Sequence, residues 1–94
     1  MRLTKYEKDA ITSVIAIFDP QARVYLFGSR VDDTKRGGDI DLLIMSDSLS
    51  LGDRGKISWE LCGRLGEQKI DILIAKDTAD PFVALAYKTG ELLS

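Results

Sequence analysis

The chain of 94 residues is 45% hydrophobic and 30% charged, enough for one domain with a single core. Thirteen Lys and Arg stand against fifteen Asp and Glu, a formal charge of -2, so the bulk charge does not draw the protein to nucleic acid or to an anionic membrane, and no direct nucleic-acid binding is expected. No histidine is present, which removes imidazole ligands and His-activated nucleophiles, and the lone Cys62 excludes an internal disulfide or a cysteine-rich zinc site.

The opening MRLTKYEKDA is charged and every apolar run is short, so neither a signal peptide nor a membrane span is expected, and a reducing cytoplasm is the expected compartment. Thr4 and Glu7 stand at capping-box spacing, and Ile11, Val14, Ile15 and Phe18 follow at helical spacing until Asp19-Pro20. A helix is predicted over residues 4–18. Arg23 to Phe27 is β-branched and aromatic and closes on Gly28, which reads as a strand. A polar loop from Ser29 to Gly38 leads to a second strand, Asp39 to Met45. Leu51, Ile57, Leu61 and Leu65 predict a helix ending at Gly66, with Gly52 and Gly55 weakening its first turn. Lys69 to Ile74 reads as a third strand, and Asp80-Pro81 opens a last helix carrying Phe82, Leu85, Ala86 and Leu92. The pattern is α/β: a small mixed sheet of about three or more strands flanked by helices, in one domain over 1–94. Cys62 is expected to be a small buried residue of the second helix, and Trp59 a partly buried one, with a place in a partner interface as the alternative. Asp32, Asp33, Asp77 and Asp80 are expected in solvent or at helix caps.

The chemistry concentrates in Phe27-Gly28-Ser29, nine intervening residues, and Asp39-Ile40-Asp41. Gly28 lets the backbone approach a phosphate closely, and Ser29 adds a hydroxyl beside exposed amides. Arg30 follows directly and can clamp a triphosphate, whereas Lys35 and Arg36 are expected to be a solvated part of the loop. Asp39 and Asp41 project to one side of a strand, and paired carboxylates suit Mg²⁺, which takes hard oxygen ligands together with substrate phosphates. Asp71 interrupts an apolar strand, a costly placement unless it has work to do. If the third strand lies beside the second, Asp71 completes a carboxylate triad able to hold two ions.

Leu26-Phe27-Gly28-Ser29-Arg30, Asp39-Ile40-Asp41-Leu42-Leu43-Ile44 and Lys69-Ile70-Asp71-Ile72-Leu73-Ile74 together resemble the DNA polymerase β-like nucleotidyltransferase superfamily. Closer still is the likeness to its minimal branch, the MNT proteins often paired with HEPN-domain toxins, and it covers nearly the whole chain. The resemblance implies that Gly28 and Ser29 hold the triphosphate of ATP, that Asp39 and Asp41 bind two Mg²⁺ ions, and that Asp71 helps activate the acceptor hydroxyl. It implies an antitoxin that transfers AMP from ATP to a tyrosine hydroxyl of an all-helical HEPN ribonuclease. With three strands and three helices assigned, few residues remain to present an acceptor. A partner protein, a homodimer or a hetero-oligomer is expected to supply it. Two alternatives are an enzyme acting on a small hydroxylated molecule, as aminoglycoside nucleotidyltransferases do, and a non-catalytic antitoxin subunit that only masks its partner.

Overall fold

The computed structural model describes residues 3–28, 40–66 and 69–93. Helix α1 (Lys5–Phe18) begins with the expected capping box: Thr4 Oγ1 accepts the Glu7 N–H at 3.1 Å, and the Thr4 N–H donates to Glu7 Oε1 at 3.0 Å. Strands β1 (Arg23–Phe27) and β2 (Ile40–Met45) run antiparallel, and β3 (Ile70–Ala75) lies parallel to β2 after the crossover through α2 (Leu51–Leu65). Helix α3 (Pro81–Thr89) starts at Asp80, whose carboxylate accepts the N–H groups of Phe82 and Val83, with Pro81 in the first turn where a missing N–H costs nothing.

The last residue of the predicted third helix's pattern, Leu92, belongs to a different element. The helix stops at Thr89, and Glu91 and Leu92 form a short strand, β4, antiparallel to β1, giving the order β3-β2-β1-β4. Leu92 keeps helical phase with Leu85, so periodicity extends the helix past its true end. Gly90 ends it: its N–H closes on the Ala86 carbonyl, and a Cβ there would meet the carbonyl oxygens of Ala86 and Leu26 at 2.7 and 3.0 Å. The chain then turns along the open edge of β1, where the Leu93 N–H donates to the Val24 carbonyl and Leu93 is buried.

Alternation along the strands sorts their side chains onto two faces. Val24, Leu26, Ile40, Leu42, Ile44 and Ile72 pack against Ile11, Val14 and Ile15 of α1 and Ile57 and Leu61 of α2. Tyr25 and Leu43 face the other way, under Val83 and Ala86 of α3, and the Tyr25 and Tyr87 rings lie 5.0 Å apart. The result is an open mixed sheet with two helices on one face and one short helix on the other. Among the described residues no helix is long and apolar enough to cross a membrane.

At the end of the sheet where β2 finishes, Asp19 ties α1 to the β2–α2 connection. Its carboxylate accepts from Ser46 Oγ at 2.5 Å, Ser48 Oγ at 3.1 Å and the Gln21 N–H at 3.0 Å. Ser46 is buried and its Oγ in turn accepts the N–H groups of Ser48 and Leu49. The Ser46 hydroxyl, followed by the Gln21 N–H, holds the Asp19 carboxyl below its ordinary pKa of 3.8. A carboxyl whose folded pKa is depressed contributes stability in full above its unfolded value and loses it as pH falls through the folded one. Wild type should therefore melt above Asp19→Asn at neutral pH, and the gap should close as pH drops below 3.8. A gap that stays constant through that range in thermal denaturation would contradict this role.

Candidate active site

The other end of the sheet carries the acidic residues. The β1–β2 register places Phe27 opposite Asp41, and the β2–β3 register places Asp41 opposite Asp71. Both carboxylates fall on the face of Tyr25, Leu43 and Leu73, away from α1 and α2. In-register residues of parallel neighbours stand side by side about 4.8 Å apart. Helix α3 packs chiefly on β1 and β2, so that among the described residues the β3 side of this face is open. Asp41 is half-buried there, and Asp71 is exposed.

Gly28 closes β1 in the left-handed region, at φ 77°. A Cβ at this position would run into Asp41 Oδ2, and the Asp41 Cγ lies 3.0 Å from the same point. The glycine thus makes room for a carboxylate of the next strand as well as turning the chain, a need that the sequence motif does not disclose. Ser29, Arg30 and Asp39, the remaining members of the expected constellation, lie outside the described residues, as do Asp32, Asp33, Lys35 and Arg36. Among the described residues no group of three His, Cys, Asp or Glu side chains is gathered as a metal cage. What is in place is a pair of hard oxygen donors on one rung, with no histidine in the chain to compete and the lone cysteine, Cys62, away on α2. That donor chemistry fits Mg²⁺ rather than a transition metal.

Two further features border the pair. Phe27 meets Phe82 of α3 edge to face, with ring centroids 6.1 Å apart, so an aromatic wall stands on the rung next to Asp41. An open cleft of about 390 Å³ runs along the β3 edge, between Ile70, Asp71 and Ile72 and the α2 residues Arg54, Gly55 and Ser58. Neither Phe82 nor Arg54 carries a local sequence signal for this position. Each arrives through helix packing, which no motif spacing encodes.

Two expectations for α2 are corrected. Cys62 is exposed, and Trp59 retains 79% of its surface in solvent. At about 100° per residue Trp59 lies opposite Ile57 and Leu61, which already fill the side of α2 that faces the sheet, and Cys62 is turned roughly 100° or more from both. Asp77 is exposed and accepts the Ala79 N–H, and Asp80 caps α3, both as expected.

The site is thus a four-stranded mixed sheet between helices, with in-register acidic residues beside a left-handed glycine turn, in a small α/β domain. Residues 10–94 match the family described as "Polymerase beta, Nucleotidyltransferase", and the chain belongs to that family. A comparison with curated proteins finds no match.

Proposed function

We propose that the protein is a Mg²⁺-dependent nucleotidyltransferase that moves AMP from ATP to a hydroxyl on an all-helical partner of the HEPN kind, acting as that partner's antitoxin. The observation that carries the reading is the shared rung of Asp41 and Asp71 beside Gly28. Family membership supports nucleotidyl transfer in general. In this reading Gly28, Ser29 and Arg30 receive the triphosphate, Asp39 and Asp41 are the metal-holding residues, and Asp71 faces the acceptor. Bound Mg²⁺ supplies charge neutralisation on the phosphates and a lowered pKa for the attacking hydroxyl.

The chain's own part in the step follows from the two environments. Asp41 is half-buried and hemmed in by the Gly28 turn, so its carboxylate is positioned before substrate arrives. Asp71 is exposed at the open end of the face, where an acceptor from solution or from a partner can reach it. The acceptor O–H gives its proton to the Asp71 carboxylate as its oxygen bonds to the α-phosphorus. The bond from that phosphorus to the bridging oxygen breaks, and pyrophosphate leaves.

Support for a protein acceptor comes from the surface next to the site. Phe82, Leu85, Tyr87 and Leu92 of α3 and β4 are all large, apolar or aromatic, and about half exposed, and Phe82 meets Phe27 on the rung next to Asp41. Exposed apolar side chains of this size beside a site are suited to contact with a protein surface. With ATP labelled at the α-phosphate, Mg²⁺ and a co-expressed HEPN protein, label should appear on the helical partner, and Asp41→Asn should abolish it. Label on an aminoglycoside and none on the partner would favour a small-molecule enzyme. No label on any acceptor would favour the masking subunit.

A further inference from the structure

Helix α2 has a second uncharged face that has no neighbouring element among the described residues. At about 100° per residue, Gly52, Gly55, Trp59, Cys62 and Gly63 fall within an arc of roughly 100°, diametrically opposite Ile57 and Leu61. Leu51 borders this arc with 74% of its surface exposed, and Trp59 projects from its middle. The helix's charged residues, Asp53, Arg54, Lys56, Glu60 and Arg64, are all displaced to its flanks. A solvated helix face ordinarily has the opposite arrangement, with charge at the centre of the outward side.

The shape of this face is a ridge between hollows. One hollow lies between Trp59 and Phe18 at the end of α1, and the other between Trp59, Cys62 and Gly63. A Cβ at Gly55 or Gly63 would meet nothing within 4 Å, so packing among the described residues does not require glycine there. Each nevertheless costs the helix about 1 kcal/mol relative to alanine. The missing side chains leave notches one turn either side of the indole, each open to something that approaches from outside.

We infer that this face is the contact between two copies of the chain, with α2 packed antiparallel on its twofold mate. Charge complementarity selects a second copy. A twofold axis perpendicular to two antiparallel helices brings the same flank of each together, running in opposite directions. Lys56 and Glu60 occupy one flank, one turn apart. The twofold therefore sets each Lys56 against the mate's Glu60, two ion pairs from one sequence, and in that register each Trp59 falls between the mate's Trp59 and its Gly55 notch, about 3 Å along the axis from either. A buried aromatic anchor with charged groups at its rim is the usual anatomy of an interface hot spot. One helix laid on one helix buries less than the roughly 1,600 Å² of a standard interface, which makes the dimer weak and concentration-dependent. Gly55 also lines the cleft beside Asp71, so the mate's helix stands at the rim of that cleft. The dimer does not depend on nucleotidyl transfer, and its test uses no nucleotide.

Sedimentation over a wide range of protein concentration should show a monomer–dimer equilibrium. Trp59→Ala should weaken it at least about ten-fold while leaving the circular dichroism unchanged, because the indole touches little of its own chain. Lys56→Glu and Glu60→Lys should each weaken self-association by setting like charges together. An equimolar mixture of those two variants should associate again, since every pair across the twofold is then of opposite sign. High salt should weaken the wild-type dimer. A chain that stays monomeric at every concentration, or a mixture that associates no better than either variant alone, would overturn the proposal. Binding of a different helical protein through Trp59 by a chain that does not self-associate would overturn it equally.

Discussion

Asp71→Asn should leave the fold and the affinity for Mg²⁺-ATP nearly intact while transfer falls roughly 10² to 10⁴-fold, the range for loss of a general base. That corresponds to about 3 to 5 kcal/mol of transition-state stabilisation. The separation is expected because Asp71 is exposed and stands at the open end of its face, so an isosteric amide disturbs no packing. A purely structural Asp71 would behave otherwise, with melting temperature, nucleotide binding and transfer all falling together. Thermal denaturation, calorimetry and single-turnover transfer on the same variant distinguish the two, and unchanged transfer would remove Asp71 from the site.

Gly28→Ala should have the opposite signature, a joint loss. The left-handed backbone at φ 77° costs a residue with a Cβ about 1–2 kcal/mol, and that Cβ collides with the Asp41 carboxylate. Relief requires the turn or the carboxylate to move. Stability should drop by about 1–3 kcal/mol, or several degrees in melting temperature for a domain of this size. Mg²⁺-ATP affinity and transfer should fall with it. An alanine variant with full nucleotide affinity would show that the Asp41 position is not set by the glycine.

What could be read from the sequence follows from which interactions are local. The α1 capping box, the Asp80-Pro81 start of α3 and the end of α2 at Gly66 are written within one turn of chain, and the structure has all three. The pairing of β3 with β2 was a condition rather than a reading, since periodicity does not state strand order. The register that puts Asp41 opposite Asp71 meets that condition. Strand β4 escaped because two residues carry no alternation and Leu92 fits a helical phase. The exposure of Trp59 and Cys62 escaped for a related reason. An apolar residue on a helix reads as core until the helix's buried side is known, and here Ile57 and Leu61 claim it. The Asp19, Ser46 and Ser48 cluster links residues 27 and 29 positions apart, and the meeting of Phe27 with Phe82 joins β1 to α3. Such contacts exist only once the layers have packed. In the sequence Gly28 stands out for its close approach to phosphate, and the structure adds the clearance that it gives Asp41.

The central claim, that acidic residues beside the Gly28 turn form a metal-dependent nucleotide site, is tested most directly by calorimetric titration of ATP with and without Mg²⁺. The titration is run on wild type and on Asp41→Asn. Wild type should bind Mg²⁺-ATP far more tightly than ATP alone, and the substitution should erase most of that difference by removing a charged oxygen ligand. Equal ATP affinity with and without Mg²⁺ in wild type, or a difference that survives intact in Asp41→Asn, would contradict it.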